Sequence, residues 1–276
     1  MKKILTITTF VILNQVAIAQ TDVEHGKKRY SLFNPAPKEK MRDMETDRPD
    51  VTESAYTVDA GHFQYETDLF KNIRNKENGL LNVRNVFNHA NMKLGITNTT
   101  DFQVVIESIV QNTTVNNISS GSSGFGDITL RVKQNLWGNN GGKTALAMMP
   151  YVNLPSSKFS ESNIEGGIVF PLAVELNANW GLGTQLAIDL LKNRSEKNYH
   201  PEILYSITAS RRLSSKLDFF IESYTTYNFK DDLAQLSANG GLVYSLSGNF
   251  KLDAGFNYGI TKATDKVYFA GLSFRY

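Results

Sequence analysis

Residues 250–258 read Phe250-Lys251-Leu252-Asp253-Ala254-Gly255-Phe256-Asn257-Tyr258. Phe250, Leu252, Ala254, Phe256 and Tyr258 alternate with Lys251, Asp253, Gly255 and Asn257. Side chains of a strand point to opposite faces with period two, so this stretch is a strand with one apolar and one polar face. The same texture closes the chain, with Tyr268, Leu272, Phe274 and Tyr276 against Ser273 and Arg275. It recurs upstream in Leu242-Val243-Tyr244, Leu217-Asp218-Phe219, Ile203-Leu204-Tyr205, Ile128-Thr129-Leu130, Phe102-Gln103-Val104, Met92-Lys93-Leu94 and Phe63-Gln64-Tyr65. Only residues 146–152 and 168–176 alternate less strictly. From Gly61 to the end, the pattern predicts about twelve strands of about ten residues, a length that crosses a bilayer core at a tilt.

The connections carry an independent signal. Short turns rich in Asn, Gly and Ser (97–101, 177–179, 213–215, 247–249, with 137–143 slightly longer) alternate with longer polar stretches (71–80, 110–126, 155–163, 192–200, 229–235, 261–266). A closed meander in an outer membrane has short periplasmic turns and long outer loops, and an even strand count puts both termini on the periplasmic side. A soluble β-sandwich or soluble barrel would also alternate, but with its apolar face inward. Three features favour the membrane reading. The polar face is rich in glycine yet carries charges of both signs. Aromatic residues cluster near strand ends, as an interfacial girdle does. The last residue is the aromatic Tyr276, an ending that resembles the assembly signal of bacterial outer-membrane barrels.

Composition agrees. The chain has 276 residues, a net charge of +2, no cysteine and four histidines. Near-neutral charge leaves no nucleic-acid footprint. Without cysteine there are no disulfides or thiolate sites, and the histidines lack metal-binding spacing, so no metal or cofactor is expected. Lys2-Lys3, the apolar run 4–13 and Ala17-Ile18-Ala19 before Gln20 form a secretory signal peptide. The expected organisation is therefore a signal peptide (1–19), a flexible polar arm ending in a plug-like segment (20–60) and a transmembrane barrel (61–276). The barrel is all-β, antiparallel and up-and-down, and lies in the bacterial outer membrane.

Just before the first strand stands Glu45-Thr46-Asp47-Arg48-Pro49-Asp50-Val51-Thr52-Glu53-Ser54. This stretch, Lys93-Leu94-Gly95-Ile96-Thr97 with Asp101, and Gly124-Phe125-Gly126-Asp127 with Lys133 resemble a family of bacterial outer-membrane transporters known as MetA-pathway of phenol degradation. The resemblance runs over residues 45–276 and implies an outer-membrane β-barrel with a transport role.

The candidate plug or gate is Thr46, Asp47, Arg48, Pro49, Asp50 and Glu53. Arg48 can bind neighbouring carboxylates in bidentate fashion. A catalytic carboxylate pair would need rigid elements under it, which this segment lacks. The candidate lumen lining is Gln64, Glu66, Asp68, Lys93, Glu107, Arg131, Lys133, Asp189, Asp218, Glu222 and Arg275, with Lys251 and Asp253 beside them. Most of these neutralise one another across the lumen, and an uncompensated subset would set a pore's charge selectivity.

His89, taken as the one strand-borne histidine, is expected on the lumen face near the outer rim. A barrel-embedded lipid hydrolase would need it facing lipid, so no enzyme activity is expected. The expected function is a narrow channel or transporter for small molecules, apolar or aromatic ones among them. The alternative is a structural or adhesion barrel without transport. Expected partners are outer-membrane lipids and lipopolysaccharide, the barrel-assembly machinery through the strand ending at Tyr276, and a small-molecule permeant.

Overall fold

The computed structural model describes residues 29–77, 80–115, 120–156, 163–193, 198–261 and 264–276. The signal peptide expected at 1–19 lies outside them. After a single 3₁₀ turn at Lys38–Lys40 come β1 (Phe63–Glu77), β2 (Leu80–Gly95), β3 (Thr100–Val115), β4 (Ser120–Gly124) and β5 (Ile128–Trp137). They are followed by β6 (Thr144–Leu154), β7 (Glu165–Asn177), β8 (Trp180–Lys192) and β9 (Tyr199–Arg212). The last four are β10 (Leu217–Asn228), β11 (Leu233–Ser247), β12 (Phe250–Gly259) and β13 (Lys266–Arg275).

Neighbours pair antiparallel, and β1 pairs with both β2 and β13, so the sheet closes. Short β4 pairs only with residues 110–114 of β3, while residues 100–106 of β3 pair with β5. The twelve longer strands thus form a closed up-and-down barrel, and β4 is a hairpin arm beyond it. Closure satisfies the backbone polar groups internally, which lipid demands.

Exposure decides which face points out. Val132, Leu186, Ile188, Ile207, Ile221, Leu242, Leu252 and Phe256 are exposed, whereas Glu66, Asp101, Gln103, Lys133 and Ser206 are wholly buried inside the barrel. A soluble barrel would reverse this arrangement. The belt is edged by aromatic contacts: Tyr65 lies 5.4 Å from Phe274, and the cations of Arg211, Lys192 and Lys266 sit over the rings of Trp180, Tyr199 and Tyr258. The short turns mark the periplasmic end.

Two connections expected as loops are paired strand. β1 and β2 run through most of 71–80, and β3 with β4 occupies much of 110–126. The cause is a row of residues left out of the ladder, with a register shift against β13 at Leu69. Pairing skips Leu69 and Asn88 between β1 and β2, then Asn88 and Ser108 between β2 and β3. Asn88 takes a left-handed φ of 55° and donates to Ser108 Oγ at 2.9 Å. One such residue on each strand inverts which parity faces inward. Leu69 and Phe70 consequently both face out, at 51% and 40% exposure, and the strands continue with polar residues beyond the apolar belt. His200 also lies in β9, so His89 is not the sole histidine on a strand.

The lumen is less uniformly polar than expected. Met149, Val169 and Ala187 form one buried apolar cluster, with Tyr151 and Leu204 against it. Phe220, Val267 and Phe269 form another, with Ile73 beside it. The first explains the weak alternation at 146–152 and 168–176, where both faces are apolar.

Candidate functional site: a segment across the lumen

The chain before β1 lies inside the periplasmic half of the barrel. It is irregular because its backbone bonds with wall side chains instead of a ladder, and the Arg48–Pro49 peptide is cis. Asp47 is the hub on one side. Lys133 Nζ lies 2.5 Å from its Oδ1 and Lys93 Nζ 2.5 Å from its Oδ2. Lys93 also pairs with Glu66. Glu66 Oε2 accepts from the backbone N–H groups of Asp47 (3.0 Å) and Arg48 (3.2 Å), and Gln64 Nε2 donates to Glu45 O (2.7 Å). Thr46 Oγ1 donates to Arg48 O at 2.7 Å.

Arg48 reaches the adjoining wall, with Nη1 2.6 Å from Asp68 Oδ1 and Nη2 2.6 Å from Asp253 Oδ1. Opposite, Glu222 accepts from Val51 N (2.8 Å), Thr52 N (2.7 Å), Thr52 Oγ1 (2.6 Å) and Asn239 Nδ2 (2.8 Å). Gln185 Oε1 accepts from Glu53 N at 2.7 Å, and Arg131 pairs with Glu53 at 2.7 Å. One ten-residue stretch is thereby tied to β1, β2, β5, β8, β10 and β12.

The electrostatics follow from this packing. Burial would raise the Asp47 carboxyl, but the two ammonium groups outweigh it and hold it well below the usual carboxylate range. Burial pushes the Glu53 carboxyl up to about 6, against the opposing pull of Arg131. Burial and then the neighbouring Glu222 carboxylate push Asp50 well above its ordinary value.

Expected lining residues divide into two groups. Gln64, Glu66, Asp68, Lys93, Arg131, Lys133 and Glu222 touch the segment between residues 45 and 54. Lys251 donates to Met44 O at 2.6 Å. Arg275 grips the segment lower down, 3.0 Å from Asp59 Oδ2. Three residues lie apart from it: Glu107 pairs with Arg84 at 2.5 Å, Asp189 accepts from Tyr151 Oη at 2.5 Å, and half-exposed Asp218 is 3.7 Å from Arg212. His89 faces the lumen, its Nδ1 3.1 Å from Asp68 Oδ2.

Sequence reasoning missed the lower anchors. Arg42 Nε lies 2.7 Å from Asp59 Oδ1, Asp101 accepts from Val58 N at 3.0 Å, and Asn139 Oδ1 accepts from Thr57 N at 3.0 Å. The lumen-face glycines were a usable signal. A Cβ on Gly95 would stand 2.0 Å from Asp59 O, and one on Gly271 would stand 2.2 Å from Arg48 Nη2. Beyond the segment, on the long-loop side, lies a cavity of about 460 Å³, floored by residues 47–51 and walled in part by Val105, Val267 and Phe269.

A closed twelve-stranded barrel with its apolar face outward defines an outer-membrane β-barrel protein. The family described as "Putative MetA-pathway of phenol degradation" matches residues 46–276, and the chain belongs to it. Among solved structures, the COG4313 outer membrane channel from Pseudomonas putida F1 aligns with a TM-score of 0.58 at 10% identity, covering 84% of this chain and 98% of that one. The transport unit of the autotransporter AIDA-I from Escherichia coli aligns at 0.53 and 12% identity, over 84% of this chain and 92% of that one. The NanC porin aligns at 0.50 and 12% identity, over 74% and 98%. At these identities the likeness establishes the fold. No curated protein matches the sequence.

Proposed function

We propose that the protein is a narrow outer-membrane channel for small molecules, apolar or aromatic ones among them, and that residues 45–54 plug or gate it from the periplasmic side. One observation carries this reading: the lumen is crossed by a separate stretch of chain, held through reversible ion pairs and hydrogen bonds, with a 460 Å³ cavity on its outer side. A barrel with a purely structural role has no need of a removable occupant. The apolar clusters at Met149 and Phe269 offer an organic permeant a surface that a purely polar pore lacks.

The chain serves as a channel rather than a lipid hydrolase on this reading. His89 faces the lumen and is held by Asp68, whereas a lipid-cleaving histidine would face the bilayer. The signal peptide at 1–19 would deliver the chain to the periplasm. Outer-membrane lipid and lipopolysaccharide would cover the apolar belt, and the strand ending at Tyr276 would engage the assembly machinery.

Planar-bilayer recordings of the full chain and of a form lacking residues 40–58 test the proposal. Small or intermittent conductance in the full chain and a larger, steady conductance in the deletion are expected. Equal conductance in both would overturn the plug, and no conductance in either would favour a barrel without transport. Heat-modifiable electrophoretic mobility shows whether each form is folded.

A further inference from the structure

The outward face of the barrel departs from its apolar pattern at the seam between β1 and β13, on the long-loop side. There Arg74 and Lys266 stand directly opposite each other, and both are exposed. Lys76, also exposed, lies two residues further along the same face of β1. Like charges directly opposite on one face of a sheet repel. Among the described residues, no carboxylate lies within ion-pair distance of any of the three. The register places none beside them either. The row through the pair runs Thr113, Val83, Arg74, Lys266, Tyr258 and Ala238. The row beneath it, toward the membrane, holds Asn85, Asn72, Tyr268 and Phe256.

The two cations are held in place. Arg74 Nε donates to Asn72 Oδ1 at 2.7 Å, and Asn72 Nδ2 donates to Asn85 Oδ1 at 2.6 Å. Asn72 is buried, so this amide relay is a fixed support under the guanidinium. Arg74 Cζ lies 6.0 Å from the Tyr268 ring centroid, and Lys266 Nζ lies 4.6 Å from that of Tyr258. Aromatic rings of this kind mark the membrane–water interface, with charged heads reaching past them toward the headgroups. One row further in, Phe70 and Ala270 are paired and exposed, and the apolar belt resumes. Two asparagines and two tyrosines therefore fix an unneutralised pair of cations at the outer edge of the belt.

We propose that Arg74, Lys266 and Lys76 bind the phosphomonoester of an outer-leaflet glycolipid, the lipid anchor of lipopolysaccharide, with its acyl chains lying against Phe70, Ala270 and Phe256. A guanidinium presents paired donors to phosphate oxygens, and an ammonium adds a point charge. A phosphomonoester carries about −1.5 to −2 charge near neutral pH, enough to offset most of the opposed pair. A phosphodiester headgroup carries about one charge and leaves the second cation unmatched. Free phosphate would satisfy the cations but leave the apolar surface below them without a partner. The inference goes beyond the channel reading and does not depend on it, since a barrel without transport would carry the same cluster.

The test is native mass spectrometry of the detergent-solubilised full chain with four probes: bisphosphorylated lipid A, its dephosphorylated counterpart, phosphatidylglycerol and inorganic phosphate. Bisphosphorylated lipid A is expected to bind at least about tenfold more tightly than each of the others. The double variant Arg74→Gln/Lys266→Gln is expected to reduce that preference to about twofold or less. Arg211→Gln, which removes an exposed cation over Trp180 at the periplasmic end, keeps the preference. Heat-modifiable mobility shows that each variant is folded. Equal binding of the two lipid A forms, phosphatidylglycerol or inorganic phosphate bound as tightly as bisphosphorylated lipid A, or an unaltered preference in the folded double variant would each overturn the proposal. So would an equal loss in Arg211→Gln, because the phosphate would then be read by diffuse charge. None of these outcomes bears on the conductance of the deletion form, so the channel reading stands or falls separately.

Discussion

Lys133, wholly buried in the wall of β5, places its Nζ 2.5 Å from Asp47 Oδ1. Asp47 is thereby the point where the segment and two strands share charge, because Lys93 approaches its other oxygen. Removing one member of a buried pair leaves an uncompensated charge and costs about 3–5 kcal/mol. Asp47→Asn would take from both ammonium groups the carboxylate they share, with Lys93 keeping Glu66. We expect this variant to release the segment while the barrel stays closed. Limited proteolysis should then cut between residues 40 and 58, and single-channel conductance should rise. Protection equal to the parent chain would refute the hub role.

Gly95 offers a cleaner separation of segment from barrel. The three atoms nearest an added Cβ are Asp59 O, Asp59 C and Val58 O, all of them in the segment. Gly95→Ala therefore crowds the segment rather than the neighbouring strands. Overpacking costs about 1–3 kcal/mol, enough to shift a docking equilibrium by one to two decades. Conductance should rise toward that of the 40–58 deletion, with unchanged heat-modifiable mobility. A loss of folded barrel would show that the crowding falls on the strands instead.

Acidification should tighten the plug over a defined window. Glu53 has its carboxyl pushed up to about 6 in the seated segment, against an ordinary 4.5. The seated form therefore holds more protons than a released form between those values. Seating gains as pH falls through 6 toward 4.5, by on the order of 2 kcal/mol, and loses that gain as pH rises through 6. Asp50 shifts in the same direction. Asp47 shifts the other way, and its contribution is lost only at pH below its ordinary 3.8. Conductance recorded from about pH 7.5 down to about pH 5 should thus fall, and Glu53→Gln should shrink the fall. A rise in conductance over that range would contradict the assignment.

The barrel was legible because lipid enforces a rule that sequence displays: every second residue of strands such as β12 meets hydrocarbon. Phe256 and Leu252 outward, Asp253 and Asn257 inward, is a pattern one can count. The segment was legible as a charged knot before β1, but its partners were not. Arg48 had nearby carboxylates to choose from, and its second partner, Asp253, lies 205 residues away. Arg42, Asp59 and Asn139 were invisible because single polar residues in irregular chain have no period. The outer halves of β1, β2 and β3 were lost for a different reason. Each has one residue left out of the ladder, and inversion of parity at Leu69, Asn88 and Ser108 breaks the count that reveals a strand.

That row of unpaired residues makes its own prediction. Asn88 holds a φ of 55°, a conformation costing a residue with a Cβ roughly 1–2 kcal/mol, with asparagine among the residues that tolerate it best. Its side chain accepts from Tyr65 Oη at 2.5 Å and Thr67 Oγ1 at 3.0 Å, and donates to Ser108 Oγ, so it bridges β1 to β3. Asn88→Gly keeps the backbone conformation and loses the bridge, and Asn88→Val loses both because a β-branched residue is a poor fit at positive φ. The expected order of stability in urea unfolding from liposomes is parent, then Asn88→Gly, then Asn88→Val, the last lower than the parent by about 2–4 kcal/mol. The same substitution at neighbouring Phe87, which has an ordinary strand backbone, should cost less than Asn88→Val. If Asn88→Val were as stable as the parent, the left-handed residue would not be what sets the parity switch, and the outer halves of β1 and β2 would need another explanation for facing as they do.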